Sequence, residues 1–220
     1  MYGRRGYGSN HQIAASSMHT TFTASVESEV IGTLTLAVDS PAGLTADKTF
    51  SEEIDAFRQI EGAKVCELTR LAFDSDVPSK PLLAAFFHVI FIYGRRKYGC
   101  TDLFIEVNPR HVLFYQVMLG FKRIGALKTN DSVAAPSQLM WLKVADIRTH
   151  IDAHAGKNPA GVRSLYPYFF SQREEVGISA RLAGMAATES AAAFVPSPLP
   201  GPNMPAQIYR LPTQQHAAYA

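Results

Sequence analysis

Residues 64–73, KVCELTRLAF, form an apolar, strand-like run that carries two charges, Glu67 and Arg70. After a polar loop at 74–80 come residues 81–98, PLLAAFFHVIFIYGRRKY, and past Gly99 the short run LFIEV at 103–107. The outer segments read as strands from their β-branched and aromatic content. The middle one reads as a helix, with Pro81 near its start and Gly99 as its stop. Its first half is apolar nearly all round, so it is expected to lie buried against a sheet.

Working outward, residues 21–26 and 30–38 read as two strands joined by a tight turn, and DSPAG at 39–43 breaks the chain. Residues 51–57 read as a short helix capped by Ser51. Downstream, Asn108-Pro109 ends the strand at 103–107, and a helix is expected over 111–119, closed by Gly120. Strands are expected at 121–126 and 139–144 and a helix at 145–155, where Val144, Ile147 and Ile151 share a face. Ser171 and Glu174 have the spacing of a capping box for a helix reaching about residue 182. The order of elements predicts an α/β fold, a mixed, mostly antiparallel central sheet flanked by helices. The domain expected is 1–150, followed by a helical extension at 151–185 and a disordered Ala/Pro/Gln-rich tail at 186–220.

Composition narrows the function. A net charge of +2 argues against wholesale nucleic-acid binding. Two cysteines, Cys66 and Cys100, offer neither a disulfide scaffold nor zinc-type spacing. Residues 1–10 lack the apolar core of a signal peptide, and the longest apolar run, 81–93, is too short for a bilayer. A cytoplasmic protein without integral membrane contact is the expectation.

The stretch NPRHVLFYQVMLGF at 108–121 resembles the acetyltransferase superfamily, and VCELTRLAF at 65–73 resembles the acidic-then-basic strand of acyl-homoserine-lactone synthases. Together with GTLT at 32–35, RGY at 5–7 and EVNPRH at 106–111, the pattern is most similar to the N-acyl amino acid synthase family. The resemblance covers most of residues 1–170. It implies an acetyltransferase-like (GNAT-like) fold and transfer of a fatty acyl group from a phosphopantetheine thioester to an amino acid, without metal. No glycine-spaced phosphate loop stands at 74–80, which favours acyl-carrier protein over acyl-CoA as donor. Thr35 and Leu36 stand where lactone synthases carry an arginine, so lactone formation is not expected. About twenty residues precede the first strand, fewer than the superfamily places there.

Acyl transfer to an amine needs a base, donors for an oxyanion and a proton for the thiolate. Glu67 is the candidate base, acting through water, or else an ion-pair partner of Arg70. Residues three apart on a regular strand face opposite ways, so Glu67 and Arg70 share a pocket only across a bulge. Arg70 could hold the acceptor's carboxylate, steady Glu67, or face solvent. Tyr115 stands where the superfamily often keeps its general acid, or packs helix against sheet. Backbone N–H groups of Leu71, Ala72 and Phe73 are candidates for the oxyanion. Ser79 and Lys80, at a helix start, could take a pantetheine phosphate. Asn108 and His111 flank the turn after the 103–107 strand, Asn108 reading as a turn former and His111 as solvent-facing. His88 reads as a core histidine. Arg95, Arg96 and Lys97, with Arg110, Lys122 and Arg123, could meet an acidic carrier protein or form a solvated face. Phe86, Phe87, Ile90 and Phe91 read as core that could also line an acyl tunnel. Two alternatives remain: an acyl-CoA-dependent N-acyltransferase, and a non-catalytic module that binds acyl groups or the carrier.

Overall fold

A computed structural model describes residues 18–27, 29–73, 79–157, 163–188 and 207–211. Strands β1 (His19–Val26) and β2 (Glu29–Val38) form an antiparallel hairpin, followed by helix α1 (Asp47–Arg58). Strand β3 (Val65–Phe73) leads through α2 (Lys80–Tyr93) to β4 (Asp102–Val107). Helix α3 (Val112–Leu119), strands β5 (Lys122–Asn130) and β6 (Ala135–Lys143), helices α4 (Val144–His154) and α5 (Gln172–Thr188), and strand β7 (Gln207–Leu211) complete it. The sheet runs β5-β6-β4-β3-β2-β1-β7. Every pair is antiparallel except β3–β4, the one that α2 must cross over. The mixed, mostly antiparallel sheet with flanking helices is the fold the sequence predicts.

Two cores lie on the two faces of the sheet. The larger takes the apolar side chains of α2, with Phe22, Leu34, Leu36, Cys66, Leu68 and Met140. Leu165, Tyr166, Phe169 and Ile178 belong to the same core, so residues beyond 163 pack onto the main body. The smaller core joins Phe50 and Ile54 of α1 to Ala37, Val65, Phe104 and Leu139. Phe50 and Ile54 are the buried residues of α1. Phe57 adds edge-on contact with Phe104, the ring centroids 5.0 Å apart.

Several local expectations are corrected. The helix expected at 51–57 is present, but α1 begins a turn earlier, at Asp47, with a kink at non-helical Phe50 between the two parts; its N-cap, Ala46, has no side-chain cap. The start is held from elsewhere: Asp47 accepts the Leu44 N–H at 2.6 Å, and β3 supplies a second acceptor, described below. Helix α2 passes at Gly94–Tyr98 into a wider turn with π-type hydrogen bonding before stopping at left-handed Gly99. Strand β6 reaches back through Pro136, which pairs with Thr129 of β5 beyond the end of the β4 ladder, where its missing N–H breaks nothing. The capping box forms, the Ser171 N–H donating to Glu174 Oε2 at 2.9 Å, and the helix runs past residue 182 to Thr188. In the tail expected to be disordered, residues 207–211 pair antiparallel with β1; the rest of 189–220 lies outside the described residues. Among the described residues, no helix is long and apolar enough to cross a membrane.

Candidate active site

The parallel β3–β4 ladder holds only Val65–Asp102, Cys66–Leu103 and Glu67–Phe104. Beyond these pairs the two strands have no register with each other, and the sheet is open between the remainder of β3 and the end of β4. Because the strands are parallel, everything following either of them collects at this open edge. Leu71, Ala72 and Phe73 lie there on β3, Ser79 and Lys80 start α2, and Asn108 and His111 follow β4. Clefts outside the carboxyl ends of parallel strands are the usual ligand sites of such sheets.

Glu67 closes the crotch of the opening. It is 2% exposed and faces the α1 side. Its Oε2 accepts the backbone N–H of Thr45 at 2.8 Å and of Ala46 at 3.4 Å, so β3 caps the start of α1. Burial pushes its pKa up to about 7, against the opposing pull of those two N–H donors and with a smaller push from the Glu106 and Asp47 carboxylates. A carboxyl poised there exists in both protonation states near neutrality.

The bulge on which a shared pocket for Glu67 and Arg70 depends is present. Thr35 pairs with Thr69 and Thr33 with Ala72, so Leu34 alone faces both Arg70 and Leu71. Arg70 takes φ 59°, a left-handed conformation that costs a non-glycine residue about 1 kcal/mol. The Thr33 hydroxyl donates to the Arg70 carbonyl at 3.3 Å and pins the kink. Across from it, Gly32 leaves room for Phe73, whose ring lies 2.7 Å from where a Cβ would stand. Glu67 and Arg70 form no ion pair with each other; the carboxylate engages α1 instead.

Tyr115 is half-buried on α3, edge-on to Phe114 and Phe121 at 5.1 and 5.8 Å. Burial raises its pKa to about 12, which keeps the phenol protonated and able to donate. Ser79 caps α2, accepting the Leu82 N–H at 3.3 Å, and Lys80 Nζ stands 6.0 Å from the Tyr168 ring centroid. The adjoining residues 74–78, part of the expected phosphate loop, lie outside the described residues. Asn108 does form the turn, its side chain accepting from the Arg110 N–H at 3.2 Å. His111 is exposed and accepts from Arg110 Nε at 3.0 Å; partial burial and the Arg110 charge lower its pKa.

Two features escaped the sequence reading. Glu106 lies two residues after Phe104, hence on the Glu67 face, and accepts from Asn130 Nδ2 at 2.7 Å. Thr21, Thr23, Thr33, Thr35 and Thr69 alternate with core residues and floor that same face; the Thr21 and Thr35 hydroxyls are 2.8 Å apart. The signal was period-two threonine spacing on β1 and β2, joined by Thr69 of β3 and visible as a face only once their pairing is known.

The opposite face is apolar. Beneath Cys66 and Leu68 of β3 lies a chamber of about 30 Å³ between sheet and helices, lined also by Phe87, Ile90, Leu103 and Phe169. The site thus joins a titratable, hydroxyl-bearing face to an apolar one across an open seam in the sheet.

Known proteins are similar to this chain. The structure of FeeM, an N-acyl amino acid synthase from uncultured soil microbes, aligns at 31% identity with a TM-score of 0.60, covering 67% of this chain and 87% of that one. A CoA-dependent acyl-homoserine lactone synthase, BjaI, aligns at 11% identity and a TM-score of 0.45, over 63% of this chain and 65% of its own. Arabidopsis thaliana NAA60 with acetyl-CoA aligns at 14% identity and 0.44, over 59% and 78%. No curated protein sequence gives a significant match. The family model for N-acyl amino acid synthase FeeM matches residues 1–143. The chain belongs to the FeeM family of N-acyl amino acid synthases, and it is an N-acyltransferase.

Proposed function

We propose that the protein transfers a long-chain fatty acyl group from an acyl-carrier-protein thioester to the amino group of an amino acid, in the cytoplasm and without a metal. The observation that carries this reading is Glu67, a buried carboxyl poised near neutrality at the crotch of the splayed strands. The acceptor amine lies on the Glu67 face, over the threonine floor, with its carboxylate on Arg70. Its nitrogen attacks the thioester carbonyl carbon as its proton passes through a water to Glu67. The oxyanion is held by backbone N–H groups of Leu71, Ala72 and Phe73. The C–S bond then breaks, the amide is complete, and Tyr115 gives the departing thiolate its proton. Ser79 and Lys80 hold the pantetheine phosphate at the start of α2, with Asn108 and His111 on the rim.

The basic residues divide by position. Lys80 and Arg110 stand at the open edge, where a carrier protein must present its thioester. Arg95, Arg96 and Lys97 follow α2, whose 14 residues span about 21 Å, and so stand at its far end. Docking of the carrier is therefore assigned to the first group.

The test is a mass-spectrometric assay with long-chain acyl-carrier protein and a mixture of amino acids, run beside the same assay with acyl-CoA. N-acyl amino acid from the carrier thioester is the expected result and names the acceptor. Product from acyl-CoA alone would reassign the donor. No product from either, with the fold intact, would leave a binding module and refute the proposal.

A further inference from the structure

The apolar chamber has a second end. Its lining sorts along α2: Leu68 and Phe87 lie toward the open seam, Cys100 and Gly94 toward the closed start of β4. Gly94 opens the π-type turn, and a Cβ on it would meet Leu36 Cδ2 at 3.2 Å and Cys100 Sγ at 3.7 Å, so this end is tightly walled. Alongside this stretch of α2 lies an open cleft of about 480 Å³ walled by Phe91, Ile92, Arg95, Arg96 and Glu175. Phe91 and Arg95 line both spaces. Arg95 is exposed, and its guanidinium carbon lies 5.9 Å from the Phe91 ring centroid. A long arginine whose stem covers apolar surface while its head stays in water is the usual way this side chain bridges two such environments.

We propose that Arg95 is the chain-length gate of this enzyme: with Phe91 it forms the partition between the acyl chamber and the open cleft. This rests on the acyl-transfer reading above and adds to it the group that limits the acyl chain. The chamber closes around about 30 Å³, close to the share of one water in the liquid, so an acyl chain enters by parting the side chains of α2. The chain advances from the seam toward Gly94 until its methyl end meets Arg95. Removing the Arg95 side chain joins chamber to cleft and lets a longer chain pass. Adding a methyl at Gly94 narrows the same end and shortens the chain accepted. Arg95 lies in the turn with π-type hydrogen bonding, and such turns are frequent at functional sites.

Arg95→Ala and Gly94→Ala are compared with the parent protein in two measurements. One offers an equimolar mixture of saturated acyl-carrier-protein thioesters, octanoyl to octadecanoyl, and reads product lengths by mass spectrometry. The other needs no turnover: free saturated fatty acids of the same lengths displace bound cis-parinaric acid, read by fluorescence. In both, Arg95→Ala is expected to favour chains two carbons longer by about fourfold, the gain from two methylenes half-buried against the Phe91 and Ile92 walls of the open cleft. Gly94→Ala is expected to move the preference the other way. An unchanged length profile in Arg95→Ala, or an equal loss at all lengths, would overturn the gate. If no thioester gives product, the transfer reading fails while the displacement series still decides the gate. Failure of every fatty acid to displace the probe from the parent protein would remove the chamber as a binding site, and the gate with it.

Discussion

Glu67 and His88 are both ionisable and buried, at 2% and 0% exposure, and they lie on opposite faces of the sheet. Burial disfavours the charged form of each, yet the outcomes differ. The imidazole sits between the rings of Phe169 and Phe170, at 4.9 and 5.3 Å, and its Nδ1 accepts the Phe170 N–H at 3.0 Å. Its Nε2 stands 3.7 Å from Glu175 Oε2, an oxygen already bound by Arg148 at 2.6 Å, and Glu174 lies within electrostatic reach. Burial brings its pKa down to about 4, so near neutrality it is a neutral packing group. Glu67, brought up to about 7, can take and release a proton there. One face turns burial into a fixed core, and the other turns it into a carboxyl that titrates near neutrality. What separates them is the company each group keeps: aromatic rings around the histidine, backbone N–H donors, carboxylates and hydroxyls around the acid.

Replacing Glu67 with Gln tests this contrast most severely. The amide oxygen still accepts the Thr45 and Ala46 N–H groups, so α1 stays capped while the base is gone. We expect turnover to fall by about 10²–10⁴-fold, the range for a positioned general base, with acceptor KM little changed. A fall of less than tenfold would assign Glu67 to helix capping alone. Phe86→Ala is the counterpart on the other face. Phe86 is fully buried and packs edge-on to Phe73 at 5.4 Å. Its truncation should cost about 3–5 kcal/mol of stability, read by denaturant melts. At temperatures where the variant is folded, the pH dependence of its turnover should match the parent's. A displaced pH profile would mean that the two faces are coupled and not separate.

The strand–helix–strand core was legible, and so was a raised pKa at Glu67, because an acid in an apolar strand, followed by a buried helix, leaves few other arrangements. The bulge was legible only as a condition: Glu67 and Arg70, three apart, require it, but nothing in LTRLA says which residue leaves the ladder. The turn of α1 ahead of Phe50 was missed because the acceptor that caps it lies more than twenty residues onward, on β3, beyond the reach of local pattern. The threonine floor and Glu106 needed strand pairing before they could be read as one face. Strand β7 was hidden because edge pairing uses backbone N–H and C=O groups, which alanine- and proline-rich surroundings do not advertise. The π-type turn has no composition signal beyond Gly94, and so the far end of the chamber could not be foreseen.

The same pair of residues makes a subtler prediction about stability. Where a folded pKa stands above its unfolded value, the native state holds more protons, and stability falls as pH rises between the two values. Glu67, ordinarily near 4.5 and here about 7, therefore lends stability in full below about 4.5 and loses it as pH rises to about 7. His88, ordinarily near 6.5 and here about 4, does the reverse: its contribution is whole above about 6.5 and lost as pH falls to about 4. Between about 4.5 and 6.5 the two slopes oppose each other and partly cancel in the parent protein. Removing either should expose the other. Glu67→Gln should gain stability with rising pH over this window, and His88→Gln should lose it. Each difference from the parent should reach at most about 3 kcal/mol, since one pKa unit corresponds to about 1.4 kcal/mol. Denaturant melts at half-unit pH steps measure it, and other titrating groups drop out of the differences. Parallel curves for all three proteins would mean that neither face perturbs its buried group, and the distinction between a poised base and a silenced imidazole would fail.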